Sequence, residues 1–328
     1  IVNNDTAVLS INDVSMAEDG TFTFTITSSN PTETDITGTV DTADIASEAL
    51  AGADYTAISG ATFTISGDSV DLSDSVTVTV NDDNIVEDDE DFNVNLSNAL
   101  FGGAADVTRA TFTGGDASGL GTIVNNDTAV LSINDVSMAE DGTFTFTITS
   151  SNPTETDITG TVDTADIAGE ALAGADYTAI SGATFTISGD SLDTSDTITV
   201  TVTDDNIVED DEDFNLNLSN VLFGFATDDT RATFTGGDAS GLGTIVNNDT
   251  AVLSINDVSM AEDGTFTFTI TSSNPTETDI TGSVDTADIA GVALAGADYT
   301  AISGATFTIS GDSLDTSDTI TVTVTDDN

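Results

Sequence analysis

The sequence predicts an all-β protein built of tandem β-sandwich domains, and three observations support this prediction. Polar and apolar residues alternate along short segments such as residues 21–27, which is the period of a half-buried strand. Asp-Gly, Asn-Pro and Gly-Gly pairs separate these segments and are typical of turns. The segment IVNNDTAVLSINDVSMAEDG begins at Ile1, Ile123 and Ile245, so one domain recurs every 122 residues.

Each repeat is predicted to contain seven or eight short strands. In the first repeat the predicted strands are residues 7–11, 21–27, 36–40, 61–65, 75–80, 92–96, 110–113 and 120–124. This number of strands in about 120 residues predicts a Greek-key, immunoglobulin-like β-sandwich. The side chains predicted to form its core are Phe22, Phe24, Ile26, Phe63, Ile65, Val76, Val78, Phe92, Val94 and Leu96.

The domain boundaries are expected where the repeated sequence starts again. Residues 1–6 would end a preceding repeat, 7–128 would form repeat 1, 129–250 repeat 2, and 251–328 a partial repeat 3 without the C-terminal strands. Only Thr128 separates Asn125–Asp127, near the end of repeat 1, from the first strand of repeat 2, so we expect an extended array with almost no linker. We also expect the natural protein to continue in both directions.

The composition excludes several classes of function. The 328 residues include 59 acids and two basic residues, Arg109 and Arg231, for a net charge of −57, and they include no His, Cys or Lys. Thiolate and imidazole metal sites, Ser–His or Cys–His nucleophiles and Schiff-base lysines are therefore excluded. The charge opposes binding to nucleic acid and to anionic membranes, and no apolar run is long enough for direct membrane insertion. We predict that the protein is not an enzyme and that cation binding or a structural role remains.

One connection between predicted strands is strongly acidic. Residues 82–91 contain seven acids, which strand pairing would hold close together. The segment could be a solvated loop that aids solubility. It could equally be a site for a hard cation, because Ca²⁺ binds 6–8 carboxylate and carbonyl oxygens. It lacks the EF-hand pattern, and the Gly-rich residues 114–119 do not match the calcium-binding nonapeptide repeat and are interpreted as a loop.

A series of short motifs in each repeat resembles a known family. The motifs are Glu18-Asp19-Gly20, Thr42-Ala43-Asp44, Gly52-Ala53-Asp54-Tyr55, Phe63 with Gly67, the run from Asp82 to Phe92 with Leu96-Ser97-Asn98, and the run from Gly121 to Asp127. Their order, present twice in full, resembles the Calx-beta family, a β-sandwich domain known from the regulatory region of sodium–calcium exchangers and from many bacterial surface proteins.

The resemblance implies that calcium ions, more than one per complete repeat, bind at loops gathered at one end of each sandwich. By position, the implied metal ligands of repeat 1 are Glu18, Asp44, Asp82, Asp83, the Ile85 carbonyl, Glu87, Glu90 and Asp127. Those of repeat 2 are Glu140, Asp166, Asp204, Asp205, the Ile207 carbonyl, Glu209, Glu212 and Asp249. In repeat 3 they are Glu262, Asp288, Asp326 and Asp327, an incomplete set. Asn125 and Asn126 replace acids of the family pattern, which implies fewer or weaker ions.

The functional hypothesis that follows is a calcium-stiffened stalk or filament of a bacterial adhesin or surface protein, outside the cell or on its surface. Calcium at the end of each repeat would fix the angle to the next repeat and offset part of the repulsion along the array. The expected partners are calcium, neighbouring repeats, and like chains in a filament or ligands on a cell surface.

Other functions remain open. The main alternative is an adhesion module that recognises glycans or other cells, because four differences between repeats 1 and 2 fall within residues 99–107. Outward threonines and paired carboxylates make ice binding and glycoside hydrolysis two weaker alternatives. Asp54-Tyr55 is interpreted as ordering a loop or packing the sandwich, and Arg109 as pairing with a local carboxylate.

Overall fold

The computed structural model describes residues 4–67, 70, 72–112, 117–189, 193–227, 230–234, 239–262, 264–311 and 314–326. Thr113, residues 114–116 of the Gly-rich loop and Asp327 were named above and lie outside these residues. The described part of the chain contains strands and no helix, and so no helix that could cross a membrane.

Repeat 1 is a sandwich of two β-sheets. Its strands are β1 (Ala7–Ile11), β2 (Val14–Ala17), β3 (Thr21–Ser28), β4 (Ile36–Asp44), β5 (Ala61–Ile65), β6 (Ser73–Thr79), β7 (Glu90–Phe101), β8 (Ala110–Thr111) and β9 (Ser118–Val124). One sheet has the order β6-β3-β1-β8, and the other has the order β2-β9-β7-β4-β5. The predicted sandwich fold is confirmed.

Repeat 2 has the same architecture. Its strands are β10 (Ala129–Ile133), β11 (Val136–Ala139), β12 (Thr143–Ser150), β13 (Ile158–Asp166), β14 (Ala183–Ile187), β15 (Ser195–Thr201), β16 (Glu212–Phe223), β17 (Ala232–Thr233) and β18 (Ser240–Val246). The two sheets have the orders β15-β12-β10-β17 and β11-β18-β16-β13-β14.

Repeat 3 has an open core. Its strands are β19 (Leu253–Ile255), β20 (Thr265–Ser272), β21 (Ile280–Val284), β22 (Ala305–Ile309) and β23 (Ser317–Thr323). Counterparts of β7 and β9 would cover this core, and residues 251–328 do not include them. Ile255 is therefore 52% exposed, whereas its counterpart Ile11 is 4% exposed.

The core of each complete repeat consists of the inward side of the alternating strands. In repeat 1, nine of the ten predicted core residues are buried, and Val76 packs partly buried against them. Phe22, Phe24 and Phe92 meet with ring centroids 5.7–6.3 Å apart, a distance typical of tilted and edge-to-face aromatic packing. The threonines between them point to solvent, as the alternation predicts.

Strand β2 is absent from the sequence prediction. Val14–Ala17 is short, does not alternate between buried and exposed positions, and pairs in parallel with β9, more than 100 residues later. Gly121 of β9 lies opposite Phe92 of β7, and a Cβ at Gly121 would lie 2.5 Å from the Phe92 ring. The absence of a side chain at Gly121 thus lets the Phe92 ring lie across β9.

The repeats contact one another through the acidic connection, residues 82–91, here named the acidic loop. The Val86 N–H donates to the Pro153 carbonyl (3.0 Å), and the Glu155 N–H donates to the Val86 carbonyl (2.9 Å). Val86 is fully buried and belongs to the hydrophobic core of repeat 2. Val208 of repeat 2 forms the same pair of bonds with Pro275 and Glu277 of repeat 3.

Candidate metal centre

The pairing of four strands brings the acidic residues to one end of the sandwich. Strands β2 and β9 run parallel and end side by side, so Glu18 and Asp127 emerge together. Strand β7 runs antiparallel to β9 and begins at that end with Glu90. Strand β4 runs antiparallel to β7 and finishes there with Asp44. Residues that are more than 100 positions apart in sequence therefore share one small region.

Glu18, Asp83 and Asp127 form the centre of the site. One carboxylate oxygen from each lies within 4.8 Å of the other two. Glu18 is only 2% exposed, and its Oε1 and the Oδ2 of Asp127 are buried without a hydrogen-bond partner among the described residues. Repeat 2 forms the same group from Glu140, Asp205 and Asp249. Buried carboxylate oxygens without donors are costly unless a cation binds them.

The electrostatics of this group disfavour its charged form. Burial raises the pKa of Glu18 to about 7, and the charges of Asp127, Asp83 and Asp82 add to the effect, while the Asn126 N–H opposes it. Burial, with Asp83 and Asp82, also raises the pKa of Asp127. Burial likewise raises the pKa of Glu140 in repeat 2. A bound divalent cation would reverse this balance by favouring the ionised carboxylates.

A second group of acids lies beside the first. Burial raises the pKa of Glu87 to about 8, and the charges of Glu90, Glu18, Asp83 and Asp54 contribute. Burial also raises the pKa of Glu90 to about 7, with contributions from Asp54 and from Glu155 of the next repeat. The Oε2 of Glu90 is buried and has no hydrogen-bond partner among the described residues.

Repeat 2 reproduces this second group. Burial raises the pKa values of Glu209 and Glu212 to about 7. The charges of Asp176, from the same repeat, and of Glu277, from repeat 3, contribute to the raised pKa of Glu212. Asp54 and Glu155 have the same relation to Glu90. In both cases an acid of the following repeat faces the site. The candidate centre therefore lies at the boundary between two repeats.

Asp44 has other contacts. Its Oδ1 accepts hydrogen bonds from the Tyr55 hydroxyl (2.6 Å) and the Ala51 N–H (2.9 Å), and these two bonds lower the pKa of Asp44. Tyr55 is fully buried and stacks on Phe92 at 4.4 Å. Asp44 thus orders the loop beside the site with one oxygen. Asp166 and Asp288 bind Tyr177 and Tyr299 in the same way.

The remaining predicted ligands lie in the acidic loop. The Asp83 Oδ1 accepts the Ile85 N–H (2.7 Å), which turns the loop back on itself, and the Asp205 Oδ1 accepts the Ile207 N–H (2.6 Å). Asp82 is exposed, and its charge reaches Glu18 and Asp127. Asp204 is also exposed.

Three acids near the site were not among the predicted ligands. Asp54 faces Glu90 although its Oδ2 also accepts the Leu50 N–H (2.6 Å). Asp89 accepts the Asn125 N–H (3.1 Å) and so ties the acidic loop to the segment that carries Asp127. Glu155 belongs to the next repeat. Asp54 lies in the Gly52–Tyr55 motif but was interpreted only as ordering a loop or packing the sandwich, and no local sequence pattern distinguishes Asp89 and Glu155 from the other acids.

Repeat 3 presents its predicted ligands differently. Glu262 is exposed, whereas its counterparts Glu18 and Glu140 are buried. Asp288 and Asp326 are exposed, as their counterparts Asp44 and Asp82 are. Within the described ranges, the groups of three facing carboxylates occur in repeats 1 and 2.

Together, the fold and the site define a tandem array of β-sandwich domains, each complete repeat with a group of carboxylates at one end whose oxygens are of the kind that a hard cation prefers. The model of the Calx-beta domain family matches residues 3–117, 125–238 and 247–328. The chain belongs to the Calx-beta domain family, whose domains are calcium-binding modules.

Several solved structures resemble the chain at low sequence identity. The crystal structure of CBD12 from CALX1.2 is 13% identical, with a TM-score of 0.34, and the match covers 72% of this chain and 99% of that one. The calcium binding domain CBD12 of CALX1.1 is 14% identical, with a TM-score of 0.32, over 72% and 98% of the two chains. The apo form of the Calx CBD1 domain is 18% identical, with a TM-score of 0.32, over 38% and 100%. A search of curated proteins finds no match.

Proposed function

We propose that the chain is a calcium-binding structural array in which ions at the end of each complete repeat stiffen the junction with the next. The observation that carries the proposal is the group of facing carboxylates Glu18, Asp83 and Asp127, in which Glu18 Oε1 and Asp127 Oδ2 are buried and lack hydrogen-bond donors among the described residues. Its ligands are all oxygens, as Ca²⁺ requires. The bound ion would supply positive charge that holds these carboxylates together in their ionised form.

The position of the centre supports the stiffening role. The acidic loop carries Glu87 and Glu90 of the site and also Val86, which is buried in the core of repeat 2. An ion that orders this loop would therefore also order the attachment of the next repeat. Without an ion, the repulsion between Glu90 and Glu155 acts across the boundary and opposes docking.

In biological terms, we propose a stalk or filament of a bacterial adhesin or surface protein. The near-identical repeats and the direct junction suit a spacer that holds another domain at a distance. The affinity for calcium tests the compartment, because extracellular modules bind with Kd values of about 10⁻⁴–10⁻³ M and intracellular sensors bind more tightly. A submicromolar Kd would contradict the extracellular assignment.

The experiment that tests calcium binding is thermal unfolding of the 328-residue chain in chelator and across a calcium titration. A free calcium concentration 100-fold above Kd stabilises each complete repeat by about 2.7 kcal/mol, or roughly 10 °C in Tm. We expect this gain to disappear when Glu87, Glu90, Glu209 and Glu212 are changed to Gln. The maximum dimension from small-angle scattering should also become better defined with calcium.

The control variant also loses four negative charges, but at exposed acids that are not predicted ligands. These are Asp19, Glu33, Asp141 and Asp257, changed to Asn or Gln. We expect this variant to keep the calcium-dependent rise. Identical melting curves and dimensions in chelator and in calcium would contradict the proposed function.

A further inference from the structure

Arg231 lies directly at the boundary between repeats 1 and 2. Strand β17 pairs in parallel with β10, the first strand of repeat 2, and the Ala129 N–H donates to the Arg231 carbonyl (2.7 Å). Since β10 follows repeat 1 almost without a linker, this pairing fixes the Arg231 backbone beside the end of repeat 1.

The Arg231 side chain crosses this boundary. Its guanidinium lies over the Phe223 ring of repeat 2, 4.5 Å from the ring centroid, a cation–π contact. The NH1 group donates to the Asp88 carboxylate and, at 3.5 Å, to the Glu87 carbonyl, both in the acidic loop of repeat 1. The guanidinium is thus a fixed cation against the outer side of that loop.

The corresponding residue of repeat 1 has a local partner. Arg109 lies 4.4 Å from the Phe101 centroid, and its Nε donates to Asp106 at 2.8 Å, as predicted from the sequence. Arg109 and Arg231 thus hold the same stacked position, and the side chain of Arg231 contacts the acidic loop of the repeat that precedes it. In a chain with two basic residues and 59 acids, the placement of one guanidinium at a boundary changes the local charge balance.

We propose that Arg231 is an inter-repeat clip that binds the acidic loop of the preceding repeat and keeps the junction docked in the absence of calcium. The clip holds the outer side of the loop through Asp88, and the Val86 backbone bonds hold its middle. Because they involve two different residues of the loop, these contacts together restrict rotation between the repeats. The inference does not depend on calcium binding and is tested in chelator.

The test measures the distance between spin labels on the two repeats. The chain contains no Cys, so the exposed pair Thr23→Cys and Thr145→Cys can be labelled specifically in the full chain. In chelator we expect the docked distance to predominate in the parent, within a distribution broader than the one in calcium. Arg231→Gln should increase the undocked fraction about fivefold, the size expected for one partly exposed ion pair. Asp88→Asn should have the same effect, and the two changes together should add little.

Two matched variants serve as controls. Arg109→Gln removes the equivalent guanidinium of repeat 1, and Asp210→Asn neutralises the counterpart of Asp88 in repeat 2; neither should change the distribution. The exchanged pair Arg231→Asp with Asp88→Arg should restore docking, which separates loss of the clip from misfolding. An unchanged distribution for Arg231→Gln, or an equal effect of Arg109→Gln, would overturn the proposal.

Discussion

Glu18 is a residue at which the metal-free state has a clear cost. Its side chain is buried, its Oε1 has no donor among the described residues, and it faces Asp83 and Asp127. A carboxylate in these surroundings destabilises the fold when it is ionised and no cation is present. Under the proposed function, the same oxygen would be a ligand of the bound cation. Stability and ion binding thus place opposite demands on this position.

Glu18→Gln is therefore expected to have opposite effects under two conditions. In chelator at pH 8 it should raise the Tm of repeat 1, because it removes a buried charge. In calcium it should weaken calcium binding at repeat 1 by at least about tenfold. Loss of a residue that only hydrogen-bonds to a metal ligand already lowers metal affinity by about this factor, and loss of a ligand should lower it at least as much. Calorimetry with and without calcium measures both effects.

The control for this prediction is the neighbouring acid. Asp19 is exposed, and Asp19→Asn should change neither quantity appreciably. If Glu18→Gln lowered the Tm equally in chelator and in calcium, Glu18 would have a packing role and not a role in ion binding.

The residues of the site were partly predictable. The carboxylates of the acidic loop and the acids at positions 18 and 127 came from a resemblance in motif order, and the structure places Glu18, Asp83 and Asp127 together. The bond between Asp44 and Tyr55 was not predicted, although Tyr55 was expected to order a loop. The contribution of Glu155 could not be predicted, because it depends on how one repeat docks on the next.

At the scale of secondary-structure elements, the strong alternation of Thr with Phe, Ile and Val predicted the inner strands well. It failed for β2, whose four residues gain their strand conformation from parallel pairing with β9. Strand β2 positions Glu18 beside the end of β9. Because β2 was not predicted, the sequence did not show why Glu18 and Asp127 come together. Local periodicity reports burial on one face of a strand and contains no information about distant pairing.

The acidic loop is an element shared between two repeats, and Val86→Ala tests this. Val86 belongs to repeat 1 in sequence but to the core of repeat 2 in space. Its truncation should destabilise repeat 2 by about 1–3 kcal/mol. Hydrogen exchange should accelerate in β12 of repeat 2 and remain unchanged in β3 of repeat 1.

Val80→Ala is the matched control for this experiment. Val80 lies six residues earlier on the same segment and is buried in the core of repeat 1. Its truncation should accelerate exchange in β3. Faster exchange in β3 for both variants would show that the acidic loop does not contribute to the core of the next repeat.

At the scale of the whole molecule, the repeated acidic sites predict an unusual dependence of stability on pH. The pKa values of Glu18, Glu87, Glu90, Glu209 and Glu212 rise to between about 7 and about 8 in the metal-free fold. The folded state therefore binds more protons than the unfolded state between about pH 4.5 and pH 8. Stability in chelator should increase as the pH falls through this range.

We expect the Tm in chelator to rise by on the order of 5–10 °C between pH 8 and pH 5. Below about pH 4 the trend should reverse, because hydrogen bonds lower the pKa values of Asp44 and Asp166, and the stability they contribute is lost on protonation. In saturating calcium, acidification should instead lower the Tm, since protons compete with the ion. A Tm in chelator that falls steadily from pH 8 to pH 5 would contradict this prediction.

The contact made by Val86 is also directional. Each complete repeat offers an acidic loop to the repeat that follows and a Pro-Thr-Glu segment to the repeat that precedes it. A genetic duplication of any 122-residue unit therefore copies both halves of the interface, and the new repeat meets its neighbours through contacts that already exist. The number of repeats can change in evolution by insertion or loss of whole units, and no residue at a boundary has to change with it.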